Sequence, residues 1–90
     1  MANLRTIFSQ NLKYHRITNN LRQEDLAEKV GLTDKYISDL ERAKFSPSLE
    51  TIEKIASVLS IKAYELIKEN EEAFKSPTRI DQKTKTRKRR

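Results

Sequence analysis

An all-α fold, a compact bundle of five helices, is what this sequence predicts, and three observations support that expectation. Apolar residues recur at intervals of three and four in five separate segments, the period of helices packed onto one core. The 90 residues hold one Gly and two Pro against 36% charged residues, a balance that suits helices and starves a turn-rich β fold. A chain this short buries only about 60 to 65% of its unfolded surface, enough for one core and one domain.

The first helix has Leu4, Ile7, Phe8 and Leu12 on one face. It ends near Asn19 and Asn20, because Asn tolerates the left-handed conformation that a helix C-terminus often needs. The second is short, with Leu26, Ala27 and Val30 inward, and stops at Gly31, the only glycine. Thr33 caps a third helix, since its hydroxyl can accept from the free N–H groups of the next turn; Ile37 and Leu40 face inward there. After a Ser46-Pro47-Ser48 break, the fourth turns Leu49, Ile52, Ile55, Ala56 and Leu59 inward. Ile61, Tyr64, Ile67 and Phe74 stripe a fifth. Residues 1–74 thus form the domain. Beyond Phe74, Ser76-Pro77-Thr78 reads as a linker, and residues 83–90 offer nothing apolar to pack, so 75–90 is expected to be a disordered basic tail.

Charge divides along the same boundary. Residues 1–74 hold 11 Lys/Arg and 12 Asp/Glu, a net of −1, whereas residues 75–90 hold 8 Lys/Arg and one Asp, a net of +7. A nucleic-acid face on the folded part must therefore come from local placement of a few cations, not from bulk charge. With no Cys there is no disulfide framework, thiol nucleophile or thiolate metal site, and His15, with no partner at metal-ligand spacing, is expected to be solvent-exposed. Apolar runs fall far short of the ~20 residues that span a bilayer, so a cytoplasmic protein without a membrane partner is expected. No paired carboxylates, nucleophile with base, or phosphate loop suggests an enzyme, and no cofactor or small-molecule ligand is implied.

Residues 23–42 meet three demands of helix-turn-helix packing. Ala27 is small where the two helices cross; Gly31, four residues later, accepts positive φ in the turn; Ile37, ten after Ala27, anchors the second helix. An ordinary helical hairpin would explain Ala-x-x-x-Gly alone. The wider stretch from Gln23-Glu24-Asp25-Leu26-Ala27 through Tyr36-Ile37-Ser38-Asp39-Leu40-Glu41-Arg42, then Pro47-Ser48-Leu49-Glu50-Thr51-Ile52, resembles the lambda repressor and Cro (Xre-like) family over roughly Leu4 to Ile67.

That resemblance implies a five-helix DNA-binding domain whose recognition helix, about residues 33–42, lies in the major groove, and a homodimer on a near-palindromic operator. With Ile37 and Leu40 inward, Asp34, Lys35, Ser38, Asp39 and Arg42 fall on the opposite face. Asp34 and Lys35, at the N-terminal end of this helix, are the first candidates for base contact, with Ser38 and Asp39 one turn further on; Lys35 suits guanine O6 and N7, an Asp accepts from cytosine N4, and Asp39 is the better placed of the two acids. Asp34 has an equally good reading as a helix-end stabiliser, favoured by the dipole whether or not DNA is near. Similarity to the family places Gln23, Thr33, Tyr36, Arg42 and Lys44 at phosphates, although Tyr36 also suits the core and Arg42 and Lys44 also suit open solvent.

Arg16 and Glu41 match a buried ion pair of relatives that ties the first helix to the end of the recognition helix. Ile61, Tyr64 and Ile67 match the family's dimer interface, with packing onto the first helix as the alternative. Two departures stand out: Arg22 occupies a position where Ser or Thr usually caps, and Ala43 replaces a glycine where positive φ strains a residue with a Cβ. The function expected is a transcriptional repressor or activator of a mobile element, such as a phage repressor or a restriction-modification controller protein. The alternative is an antitoxin or protein-interaction module that regulates its own operon. The basic tail adds nonspecific DNA affinity by counterion release, serves as a solubilising end, or contacts RNA.

Overall fold

The computed structural model describes residues 3–75, with side chains through residue 73. Five α-helices follow in order: α1 (Leu4–Thr18), α2 (Gln23–Val30), α3 (Asp34–Glu41), α4 (Leu49–Leu59) and, after a single 3-10 turn at Ala63–Leu66, α5 (Glu71–Lys75). Among the described residues there is no strand. Residues 76–90, the linker and most of the basic tail expected to be disordered, lie outside the described residues.

Sequence determines how these helices start. Asn3, Thr33 and Ser48 each turn a side-chain oxygen to a backbone N–H of the first turn, those of Thr6, Tyr36 and Thr51, at 2.9, 3.0 and 3.1 Å. Each satisfies one of the donors that a helix N-terminus leaves free. At α2 the capping residue is Arg22, which has no acceptor to offer. Only the reciprocal half of a capping box forms there, with the Arg22 backbone N–H donating to Asp25 Oδ2 at 2.9 Å. That bond first, and the Arg22 side chain second, hold the Asp25 carboxyl below its ordinary pKa.

The same device ends four helices. Asn20, Gly31, Ala43 and Ser60 have φ of 61°, 76°, 62° and 61°. At each, the N–H of the following residue reaches back across the last turn, as in Leu32 N to Ala27 O at 2.8 Å and Lys44 N to Asp39 O at 2.9 Å. This is the Schellman arrangement, which gives orphan carbonyls a partner and reverses the chain. Leu21, Leu32 and Ile61, the residues just after three of these bends, tuck against the core. After α3 the corresponding residue is Lys44, and it is exposed.

Phe8, Leu12, Leu26, Ile37, Leu40, Ile55, Leu59 and Leu66 are fully buried and join all elements up to the 3-10 turn in one core. Two leucines expected inside are not: Leu4 is 58% exposed and Leu49 80% exposed. Both are the first residue of their helix. Side chains lean toward the helix N-terminus, so there they overhang the end of the core instead of entering it.

The fifth helix was expected to run as one stripe through Ile61, Tyr64, Ile67 and Phe74; the chain instead makes a 3-10 turn, an irregular link and then α5. Spacing by three is the period of a 3-10 turn as much as a face of an α-helix, which is why the stripe misleads. What locks this segment is Leu66, fully buried, together with the buried Asn11 of α1. The Asn11 amide donates to the carbonyls of Leu66 and Lys68 at 3.0 and 2.7 Å. Asn70 then caps α5, accepting from Glu72 N at 2.9 Å.

Candidate nucleic-acid interface

The geometry of the site begins with the α2–α3 crossing. Ala27 is 3% exposed at that crossing, Gly31 bends the chain left-handed, and Ile37 and Leu40 at 0% exposure anchor α3 from beneath. Pinned by these two, α3 turns its other face outward. Thr33, Asp34, Lys35, Arg42 and Lys44 are exposed, and Gln23, Tyr36 and Ser38 are half-buried.

Asp39, expected to read a base, does not join them at the surface, because its side chain is only 6% exposed. It lies beneath two cations of its own helix. Lys35 Nζ stands 3.2 Å from Oδ2 and Arg42 Nη2 stands 3.0 Å from Oδ1, while those cations remain 78% and 61% exposed. The Arg42 guanidinium foremost, with Lys35 and Lys44 adding to it against the effect of burial, holds the Asp39 carboxyl below its usual pKa. Asp39 is thus ionised at neutral pH, with both oxygens engaged, and aims Lys35 and Arg42 along the outer edge.

Beneath that edge Arg16 and Glu41 face each other, with side chains only 9% and 4% exposed. Arg16 Nε and Nη2 donate to Oε2 and Oε1 of Glu41 at 2.5 and 3.1 Å, and Nη1 donates to Leu21 O at 2.8 Å. Gln23 Nε2 donates to the same carboxylate at 3.0 Å. One amide hydrogen of Gln23 is therefore spent inside the fold, leaving its second hydrogen and its oxygen for any outside partner. The three residues tie α1, α2 and α3 together at the C-terminal end of α3.

Tyr36 packs against the core, and its ring stacks on Phe45, with centroids 6.2 Å apart and planes 24° from parallel. Phe45 was not singled out in the sequence. It follows Lys44 in an aperiodic turn, where no helix-face argument applies, and the only signal was an aromatic residue in a polar stretch. Ile61, expected at a dimer interface, is half-buried against its own core, whereas Tyr64 and Ile67 are 54% and 39% exposed. Among the described residues no three His, Cys, Asp or Glu side chains converge to hold a metal ion, and no helix is long and apolar enough to cross a membrane.

Comparison with known proteins bears on this geometry. A helix-turn-helix family model matches residues 12–66. A hypothetical transcription factor of Neisseria meningitidis is 35% identical over 75 residues, covering 83% of this chain and 71% of that one. Its crystal structure superposes with a TM-score of 0.74 over 81% of this chain and 84% of the other. Control protein C.BamHI of Bacillus amyloliquefaciens is 38% identical over 66 residues, 72% of this chain and 82% of its own. The restriction-modification controller protein C.AhdI of Aeromonas hydrophila superposes with a TM-score of 0.67 at 37% identity, over 69% of this chain and 94% of that one. A crossing built on Ala27, Gly31 and Ile37, inside a family match that spans more than half of the chain, makes this protein a member of the lambda-repressor-like helix-turn-helix family of DNA-binding transcriptional regulators.

Proposed function

We propose that this regulator works as a homodimer on a near-palindromic operator, with α3 of each copy in the major groove and no catalytic step of its own. The observation that supports this is the outer edge of α3, where Asp34, Lys35 and Arg42 stay exposed on a helix pinned from below by Ile37 and Leu40. N-terminal residues of a recognition helix reach base edges. Lys35, with Asp34 beside it and Ser38 one turn on, takes that role here, and Lys35 suits guanine O6 and N7. Asp39 works through the cations it holds. Thr33, Tyr36, Arg42, Lys44 and the remaining amide hydrogen of Gln23 take phosphates, which set register and affinity without reading sequence.

The exposed Tyr64 and Ile67 supply the apolar part of the dimer contact, with Ile61 at its inner edge. Two half-sites one helical turn apart, about 34 to 36 Å, then multiply a specificity that one small half-site cannot supply. Two controller proteins, C.BamHI and C.AhdI, match over 82% and 94% of their own length, which supports a controller role in a restriction-modification system beside that of a phage repressor. Selecting bound sites from a random DNA library is the test. An inverted repeat bound by two copies of the chain is expected; a single unrepeated half-site bound by one copy would overturn the dimeric reading.

A further inference from the structure

Phe45 has no role in the contacts assigned so far, yet it is 47% exposed, a large apolar surface at the rim of α3. Its ring does not hang free, because it stacks on Tyr36 with centroids 6.2 Å apart, within the range of offset aromatic pairs. Tyr36 belongs to the first turn of α3, so the stack holds the Phe45 ring against a side chain that springs from the N-terminal half of that helix. That is the half that approaches base edges in a major groove. Exposed Arg42 and Lys44 lie close by in the chain, a cationic surround that complements a polyanion.

The major groove presents one apolar group for such a ring, the C5-methyl of thymine. We propose that Phe45, braced by Tyr36, is a specificity-determining residue that contacts a thymine methyl in each half-site. This rests on the reading of α3 as the groove-entering helix, and it adds a thymine to what Lys35 and Ser38 read.

The test takes a site selected by the wild-type protein and replaces its thymines one at a time by uracil, which removes the methyl and nothing else. Affinities are measured for wild type, Phe45→Ala and Phe45→Leu, with thermal melts to verify folding. Wild type is expected to lose about fivefold or more at one position of each half-site, near the lower end of what one wrong base pair costs. Phe45→Ala should show that loss on the natural site and lose nothing further on uracil, and Phe45→Leu should fall between. If no uracil position matters to wild type, or if Phe45→Ala is as sensitive to uracil as wild type, the assignment is overturned. Either result leaves the DNA-binding reading intact, whereas failure of wild type to select any site would sink that reading first.

Discussion

Replacing Glu41 by Ala should damage this fold out of proportion to the few atoms removed. The Glu41 carboxylate accepts from Arg16 Nε, Arg16 Nη2 and Gln23 Nε2, and its side chain is 4% exposed. Without it the Arg16 guanidinium, 9% exposed, keeps only the carbonyl of Leu21. A buried charge stripped of its partner costs about 3 to 5 kcal/mol. For a domain of this size each kcal/mol moves the midpoint by about 4 to 8 °C, so a drop of at least about 12 °C is expected. Urea unfolding followed by circular dichroism gives the free energy directly. The discriminating comparison is the double variant Arg16→Met with Glu41→Leu, which removes both charges and should recover to within about 1 to 2 kcal/mol of wild type. A loss under about 1 kcal/mol for Glu41→Ala, or a double variant as unstable as the sum of the singles, would refute the reasoning.

Three other outcomes follow from particular residues. Ala43→Gly should raise stability by about 0.5 to 1 kcal/mol in the same urea titration, because Ala43 sits at φ 62° and the relief of strain exceeds the entropy that glycine adds to the unfolded chain. His15, expected at the surface, is half-buried, and burial holds it below its ordinary pKa of 6.5, with Glu65 opposing and Lys68 adding to the effect. The folded state therefore favours neutral imidazole, so this contribution is complete above about pH 6.5 and fades as pH falls through the lower folded value. Melting points at pH 7.5 and 5.5 should differ less for His15→Gln than for wild type, and an equal difference would contradict it. Ile67→Asp, at a site 39% exposed, should shift sedimentation from dimer to monomer while the monomer keeps its helical circular dichroism, with a melting point lowered by the loss of the partner; a variant still dimeric would move the interface elsewhere.

The helices and their inward faces were legible because burial imposes a period on sequence, and Ala27, Gly31 and Ile37 stand at the offsets that a helix-turn-helix demands. Their ends were less so. Only one of these four left-handed bends is a glycine; at Ala43 the hydrogen bonds of the Schellman turn, and at Ser60 those bonds together with the packing of Ile61, outweigh local preference. The segment after α4 misled, since Ile61, Tyr64 and Ile67 repeat at an interval that suits a 3-10 turn, while Leu66 and Asn11 make the contacts that fix it. Within the site, Lys35 and Arg42 were legible as outward cations from helix phase alone. That Asp39 is covered by both was not, because phase gives the direction of a side chain and says nothing of which longer neighbours fold over it. Phe45 was hidden for a different reason: the contact that orients it comes from nine residues earlier, across a turn without period.

Whether the outer edge of α3 reads DNA is tested most directly by repeating the library selection with Lys35→Ala. Lys35 is 78% exposed, so the fold should survive the change. Base preference at one position of each half-site should relax, at a cost of about 1 to 3 kcal/mol on the wild-type site, while preference elsewhere persists. A selected sequence identical to that of wild type, or a uniform weakening on all DNA, would contradict it.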